Sequence, residues 1–180
     1  MLEFRFALML MADAEVVAIQ DQPPAVRYRL PGETEYHLHT FDFLVTYRSG
    51  KRVYYECKAA DQVEKENTEQ IVDTIELHYL NGTADEAYVI DDDMVLPDMA
   101  ENAEDIVEAR KCRNDADCRA VLEFMQQHHE PISMDSVCDA FVDAGWARTA
   151  LLNLIYDGLV EHLDPTRTFE DAPLVRTVFH

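Results

Sequence analysis

The stretch "FDFLVTYRSGKRVYYECKAA", residues 41 to 60, alternates apolar with polar or aromatic side chains on both sides of the turn "RSGK". A period of two on each arm specifies a pair of strands, and Gly50 supplies the left-handed backbone a tight hairpin needs. A hairpin this apolar must sit inside a sheet that is covered on at least one face. Yet it places Asp42 near one end and Glu56 and Lys58 near the other. Side-chain parity puts Tyr54, Glu56 and Lys58 on one face of the returning strand and Val53, Tyr55 and Cys57 on the opposite one. Glu56 and Lys58 then project together, about 7 Å apart along the strand. The hairpin brings Asp42 back beside them.

Two carboxylates and an ammonium in one cleft make a workable site for phosphodiester hydrolysis. Carboxylate oxygens are hard ligands that suit Mg²⁺ or Mn²⁺ better than zinc, and a lysine can position the attacking water. The same spacing, D-x(13)-E-x-K, also describes a cross-strand salt bridge on a solvated sheet face. The residues alone leave both readings open.

Around the hairpin the chain predicts an α/β domain. A helix over residues 2–12 ends before Pro23-Pro24, and "AVRYRL" reads as a strand. "EYHLHTFDFLVTY" reads as one long strand, residues 61–80 as an amphipathic helix, and "EAYVID" as a short buried strand. The order α-β-β-β-α-β places helices on the faces of a mixed sheet. A composition change near residues 110–116 suggests two domains, 1–112 with an acidic linker and 113–180. The second shows three helical patterns followed by a hairpin pattern, the winged-helix arrangement.

Thirty-six acidic against 15 basic residues give a net charge of −21, which repels a polyanion. Residues 27–58 are the exception, with six basic and four acidic side chains, and a phosphate could approach there. Residues 91–180 hold 20 acidic and 7 basic side chains, so the candidate groove-reading residues Arg148, Thr149 and Asn153 lack the basic stripe of a DNA reader. No apolar run is long enough for a membrane span. The apolar opening segment is interrupted by Glu3 and Arg5 and reads as a helix rather than a signal peptide. The four cysteines form no C-x-x-C pair and read as free thiols of a cytoplasmic protein. His37 and His39 fall on the opposite parity from Asp42 and read as surface or lightly buried rings. His128-His129 reads as a helix cap. No histidine is assigned to catalysis.

Leu2-Glu3 on the first helix, Val16-Val17 leading into Gln22-Pro23, Asp42-Phe43, Gly50 and Glu56-Cys57-Lys58 occur in that order. Together they resemble the amino-terminal domain of TnsA-type transposon endonucleases, members of the PD-(D/E)xK, restriction-endonuclease-like superfamily, over residues 2 to about 92. The resemblance implies a restriction-endonuclease-like mixed sheet flanked by helices and a Mg²⁺- or Mn²⁺-dependent endonuclease activity on DNA. It implies Glu3, Asp42 and Glu56 as metal ligands, Lys58 as the residue that orients or helps deprotonate water, and Gln22 as structural. The implied partners are a DDE-type transposase and a regulatory AAA+ ATPase, the latter engaged by the carboxy-terminal half. Phe41 departs from the proline usual before the aspartate. The alternatives are a stand-alone restriction, repair or phage nuclease of the same fold and a non-catalytic interaction module.

Overall fold

A computed structural model describes residues 1–178. By its internal contacts the chain divides into two units, Met1–Leu10 with Glu15–Val95, and Met11–Ala14 with the chain from Leu96 onward. The first unit contains α1 (Leu2–Met11), β1 (Val16–Asp21), β2 (Val26–Tyr28), β3 (His37–His39), β4 (Phe43–Tyr47) and β5 (Arg52–Cys57). It continues with α2 (Ala60–Glu66), α3 (Thr68–His78) and β6 (Glu86–Ile90). The main sheet runs β1-β4-β5-β6. Its first two pairings are antiparallel, while β5 and β6 are parallel and joined by the helical crossover that parallel strands require. Among the described residues no helix is long and apolar enough to cross a membrane.

Three expectations are corrected. The long strand expected over 35–47 is two strands in different sheets: β3 pairs only with β2, in a ribbon of its own, and β4 starts after a break at residues 40–42. The strand expected over 25–30 belongs to that ribbon, and its place in the main sheet is taken by β1. That edge strand was not anticipated, because its register with β4 shifts between Val16 and Ala18 and Val17 points to solvent, which erases simple alternation. The helix expected over 61–80 is broken at Asn67, whose left-handed backbone (φ 53°, ψ 38°) closes α2 and opens α3.

The main sheet is covered on both faces. On one, Leu44 and Tyr54 pack with Phe41, Val72 and Ile75. On the other, Phe43, Val45, Tyr55 and Cys57 meet Phe6 and Leu10 of α1, with the Phe6 and Tyr55 rings 5.0 Å apart and edge-on. Phe41 is almost wholly enclosed. Its ring stacks on Tyr54 at 4.6 Å with 13° between planes, and His39 meets it edge-on at 4.6 Å. The residue standing where a proline is usual therefore anchors the break between ribbon and sheet.

The second unit is helical with a small three-stranded sheet. It holds α4 (Pro97–Lys111), α5 (Asp115–Met125), β7 (Ile132–Ser133), α6 (Met134–Asp139), α7 (Ala144–Tyr156), β8 (Val160–His162) and β9 (Leu174–Thr177), with sheet order β7-β9-β8. Asn114, Ser133 and Asp143 cap α5, α6 and α7 with side-chain oxygens. The helices close on Val121, Met134, Val137 and Leu151. Within this unit α4 packs its Ile106 and Ala109 into the same core. Asn153, fully buried on α7, donates to the carbonyl of Ala109 at 3.0 Å and ties α7 to the end of α4.

Phe41→Ala should destabilise the protein by about 3–5 kcal/mol, the range for emptying a buried aromatic site. Chemical denaturation followed by far-UV circular dichroism measures it.

Candidate active site

The ladder between β4 and β5 reaches Phe43↔Tyr55 and then changes character. The Asp42 N–H still donates to the Tyr55 carbonyl at 3.0 Å, but the Cys57 N–H turns to the Asp42 side chain, donating to Oδ2 at 2.6 Å. A carboxylate thus supplies the acceptor that the departing backbone no longer offers. The other strand flanking Asp42 is also pinned there: the Gln22 N–H donates to the Asp42 carbonyl at 2.8 Å, with Gln22 held at φ 42°. On the far side, the Lys58 N–H donates to the Ile90 carbonyl of β6 at 2.9 Å. Asp42, Glu56 and Lys58 therefore gather at the carboxyl ends of the parallel pair β5–β6, where open α/β sheets form their clefts.

The local electrostatics show which groups converge. Burial pushes the Asp42 carboxyl up to about 6, the Cys57 amide partly offsets this, and Glu56 and then Glu3 push it higher. The Cys57 thiol is raised to about 12, again by burial first and then by Asp42, Glu3 and Glu56. It is an inert thiol at neutral pH. Glu3 lies exposed in the first turn of α1, close enough for its charge to act on both groups.

Glu56 is buried, with only 8% of its surface accessible. Its Oε2 is 3.2 Å from Nε2 of His39, yet neither atom has hydrogen-bond geometry and both are enclosed without a donor or acceptor among the described residues. Parity had set His39 apart from the aspartate. The break at 40–42 voids that argument, since β3 belongs to a different sheet and its alternation does not carry across into β4. His37, by contrast, is exposed and bonds Glu33 at 2.7 Å. The Lys58 Nζ is 3.9 Å from Glu56 Oε1 but makes its short contact, 2.6 Å, with Glu66 at the end of α2. That hydrogen bond, with the nearby carboxylates, raises the lysine above its ordinary value and keeps it protonated.

The sequence did not single out His39 or Glu66 for this site. The only signal for Glu66 was its place eight residues beyond Lys58, on a helix turning back over the strand end.

Among the described residues no group of three or more His, Cys, Asp or Glu side chains is arranged to hold a metal ion. The donor set still fits a hard divalent cation. An enclosed Glu56 oxygen lacks a partner, Asp42 Oδ1 accepts no hydrogen bond among the described residues, and the mutual repulsion at Asp42 is what a cation relieves. In the second unit, Arg148 is committed to Asp105 and Glu170 at 2.9 and 3.0 Å and Asn153 is enclosed, so neither is presented to a DNA groove.

Residues 13–88 match the family model described as TnsA-like endonuclease N terminal. No curated protein matches the chain.

With its carboxyl raised, Asp42 keeps a proton in the folded state that the unfolded chain releases. In chelator-treated buffer, stability should therefore fall as pH rises between roughly 4 and 6. Asp42→Asn should abolish this fall and gain about 1 kcal/mol at neutral pH, a value already reduced for solvent screening of a half-exposed group. Denaturant melts of both proteins across that pH range provide the check.

Proposed function

We propose, on the premise that residues 13–88 form a TnsA-like endonuclease N-terminal domain, that the protein is a metal-dependent endonuclease cutting one DNA strand at a mobile-element end. The observation that carries this reading is the convergence of Asp42, Glu56 and Lys58, with Glu3 in electrostatic reach, at one end of β5. The succession α1, β1, β4, β5, α3, β6, with the β2–β3 ribbon as an insertion, supports a restriction-endonuclease-like core.

Asp42 and Glu56 would hold Mg²⁺ or Mn²⁺, with Glu3 as a further carboxylate. The bound ion supplies Lewis-acid polarisation of the phosphate and acidifies a water. The Asp42 carboxylate is fixed by the Cys57 amide, so its orientation does not depend on the ligand. His39, wedged against Phe41, borders the buried arm of Glu56 at 3.2 Å. Lys58 is protonated through Glu66 and therefore serves as a donor, orienting the attacking water or the phosphate rather than taking a proton.

The second unit supports a winged-helix reading, with α5, α6 and α7 beside the sheet β7-β9-β8. Its acidity and the commitment of Arg148 favour a protein partner over DNA. A DDE-type transposase and a regulatory ATPase are the partners this reading assigns, and delivery by them would offset the repulsion between DNA and a chain of charge −21.

A calorimetric Mn²⁺ titration of wild type, Asp42→Ala and Lys58→Ala tests the proposal. One saturable site should vanish in Asp42→Ala and persist in Lys58→Ala. Lys58→Ala should lower strand cleavage, assayed with the transposase present, by at least about 10²-fold. Identical weak isotherms for wild type and Asp42→Ala would remove the metal site and with it the nuclease reading.

A further inference from the structure

Nε2 of His39 and Oε2 of Glu56 face each other at 3.2 Å, and each is enclosed without a hydrogen-bond partner among the described residues. Burying two polar atoms in this way is costly, and a hydrogen bond between them would remove the cost. The distance permits one but the angle does not, so Oε2 lies off the line along which an Nε2–H would donate. An ion held by both atoms accounts for this arrangement. Two donors each about 2.1 Å from one divalent cation, and at right angles around it, stand about 3.0 Å apart and aim at the ion rather than at each other.

The two donors are held by the fold. β3 places His39 opposite Val26 of β2. The imidazole meets Phe41 edge-on at 4.6 Å and Tyr28 edge-on at 6.4 Å, and both of those rings are buried. Glu56 is paired opposite Val89 in the β5–β6 ladder, with only 10% of its side chain accessible. Its other oxygen, Oε1, is the one that faces Lys58 Nζ, at 3.9 Å, which leaves Oε2 to the histidine. Asp42 completes the group. Glu56 and His39 both lie close enough to act on its carboxyl, and its Oδ1 accepts no hydrogen bond among the described residues. His37, two residues earlier on the same strand, is exposed and bonded to Glu33. Position in the fold, rather than residue type, therefore sets His39 apart.

Resting on the metal-dependent nuclease reading, we infer that His39 is a metal ligand through Nε2, sharing one ion with Glu56 Oε2 and Asp42. A nitrogen donor among carboxylates changes which ion the site selects. Mg²⁺ demands oxygen ligands and gives up water reluctantly, whereas Mn²⁺, a transition metal, accepts an imidazole more readily. The site prefers Mn²⁺.

The test uses the full chain, stripped by chelator and loaded with less than one equivalent of Mn²⁺ in moderate salt, so that the acidic surface stays empty. Pulsed electron paramagnetic resonance detects a nitrogen bonded directly to Mn²⁺, and the wild type should show an imidazole nitrogen coupling. His39→Gln should abolish that coupling and weaken Mn²⁺ binding at least about tenfold. Mg²⁺ binding, followed by competition, should change less, so the preference for Mn²⁺ narrows. His37→Gln should keep both the coupling and the affinity. If His39→Gln fails to fold, His39→Asn, which has no atom at the Nε2 position, takes its place. The wild-type spectrum needs no variant. A coupling absent from the wild type despite an Asp42-dependent Mn²⁺ isotherm, or one that survives removal of the His39 ring, overturns the ligand role and leaves the nuclease reading standing. A wild type with no saturable Mn²⁺ site overturns both.

Discussion

The hydrogen bond from the Cys57 amide to the Asp42 carboxylate is the joint on which this end of the molecule depends. At that point β5 runs on while the chain before β4 turns away, so a backbone donor would be left buried without an acceptor, at a cost of roughly 1–3 kcal/mol. A side-chain carboxylate fills the gap and is itself positioned by doing so. The residues on either side of Cys57, Glu56 and Lys58, inherit their places from the same joint, and the Lys58 amide passes the order on to β6. An acidic group used as structural cement this close to two other carboxylates is uncomfortable at neutral pH, as its raised titration shows. The strain is electrostatic rather than steric, and a divalent cation is its natural relief.

Charge is distributed by the same economy. In the second unit Arg113, Arg148, Arg167 and Arg176 are each matched to a carboxylate, and Arg113 alone engages Asp115 and Asp157. Such pairs at the surface add little stability individually. They do remove positive charge from display. In the first unit, Arg27 and Arg29 make no ion pair among the described residues and instead lie over the Tyr36 ring, at 4.0 and 5.4 Å.

The hairpin, its turn at Gly50 and the gathering of Asp42, Glu56 and Lys58 were legible because period-two alternation and a glycine with positive φ are local properties. The mixed sheet followed from the order of elements. Features decided by tertiary contact were not legible. Nothing in "EYHLHTFDFLVTY" marks residues 40–42 as a break, since Phe41 is as good a strand residue as its neighbours. It leaves the ladder because its ring has a better place on Tyr54. Once that break is missed, parity counted through it assigns His39 to the wrong side. β1 was hidden by its bulge and its exposed Val17, and the Lys58–Glu66 contact by the left-handed turn at Asn67 that ends α2 beneath the lysine.

The bond between the Gln22 amide and the Asp42 carbonyl closes the base of everything between them, the β2–β3 ribbon included. Because the neck is tied by the sheet itself, the length of the intervening chain enters the folding free energy only logarithmically, and doubling it costs about 0.6 kcal/mol. The ribbon is in this sense an exchangeable module plugged into an invariant socket. A different hairpin, longer or differently charged, can be seated there without moving the aspartate that the socket holds, provided it returns an aromatic ring to the position of Phe41.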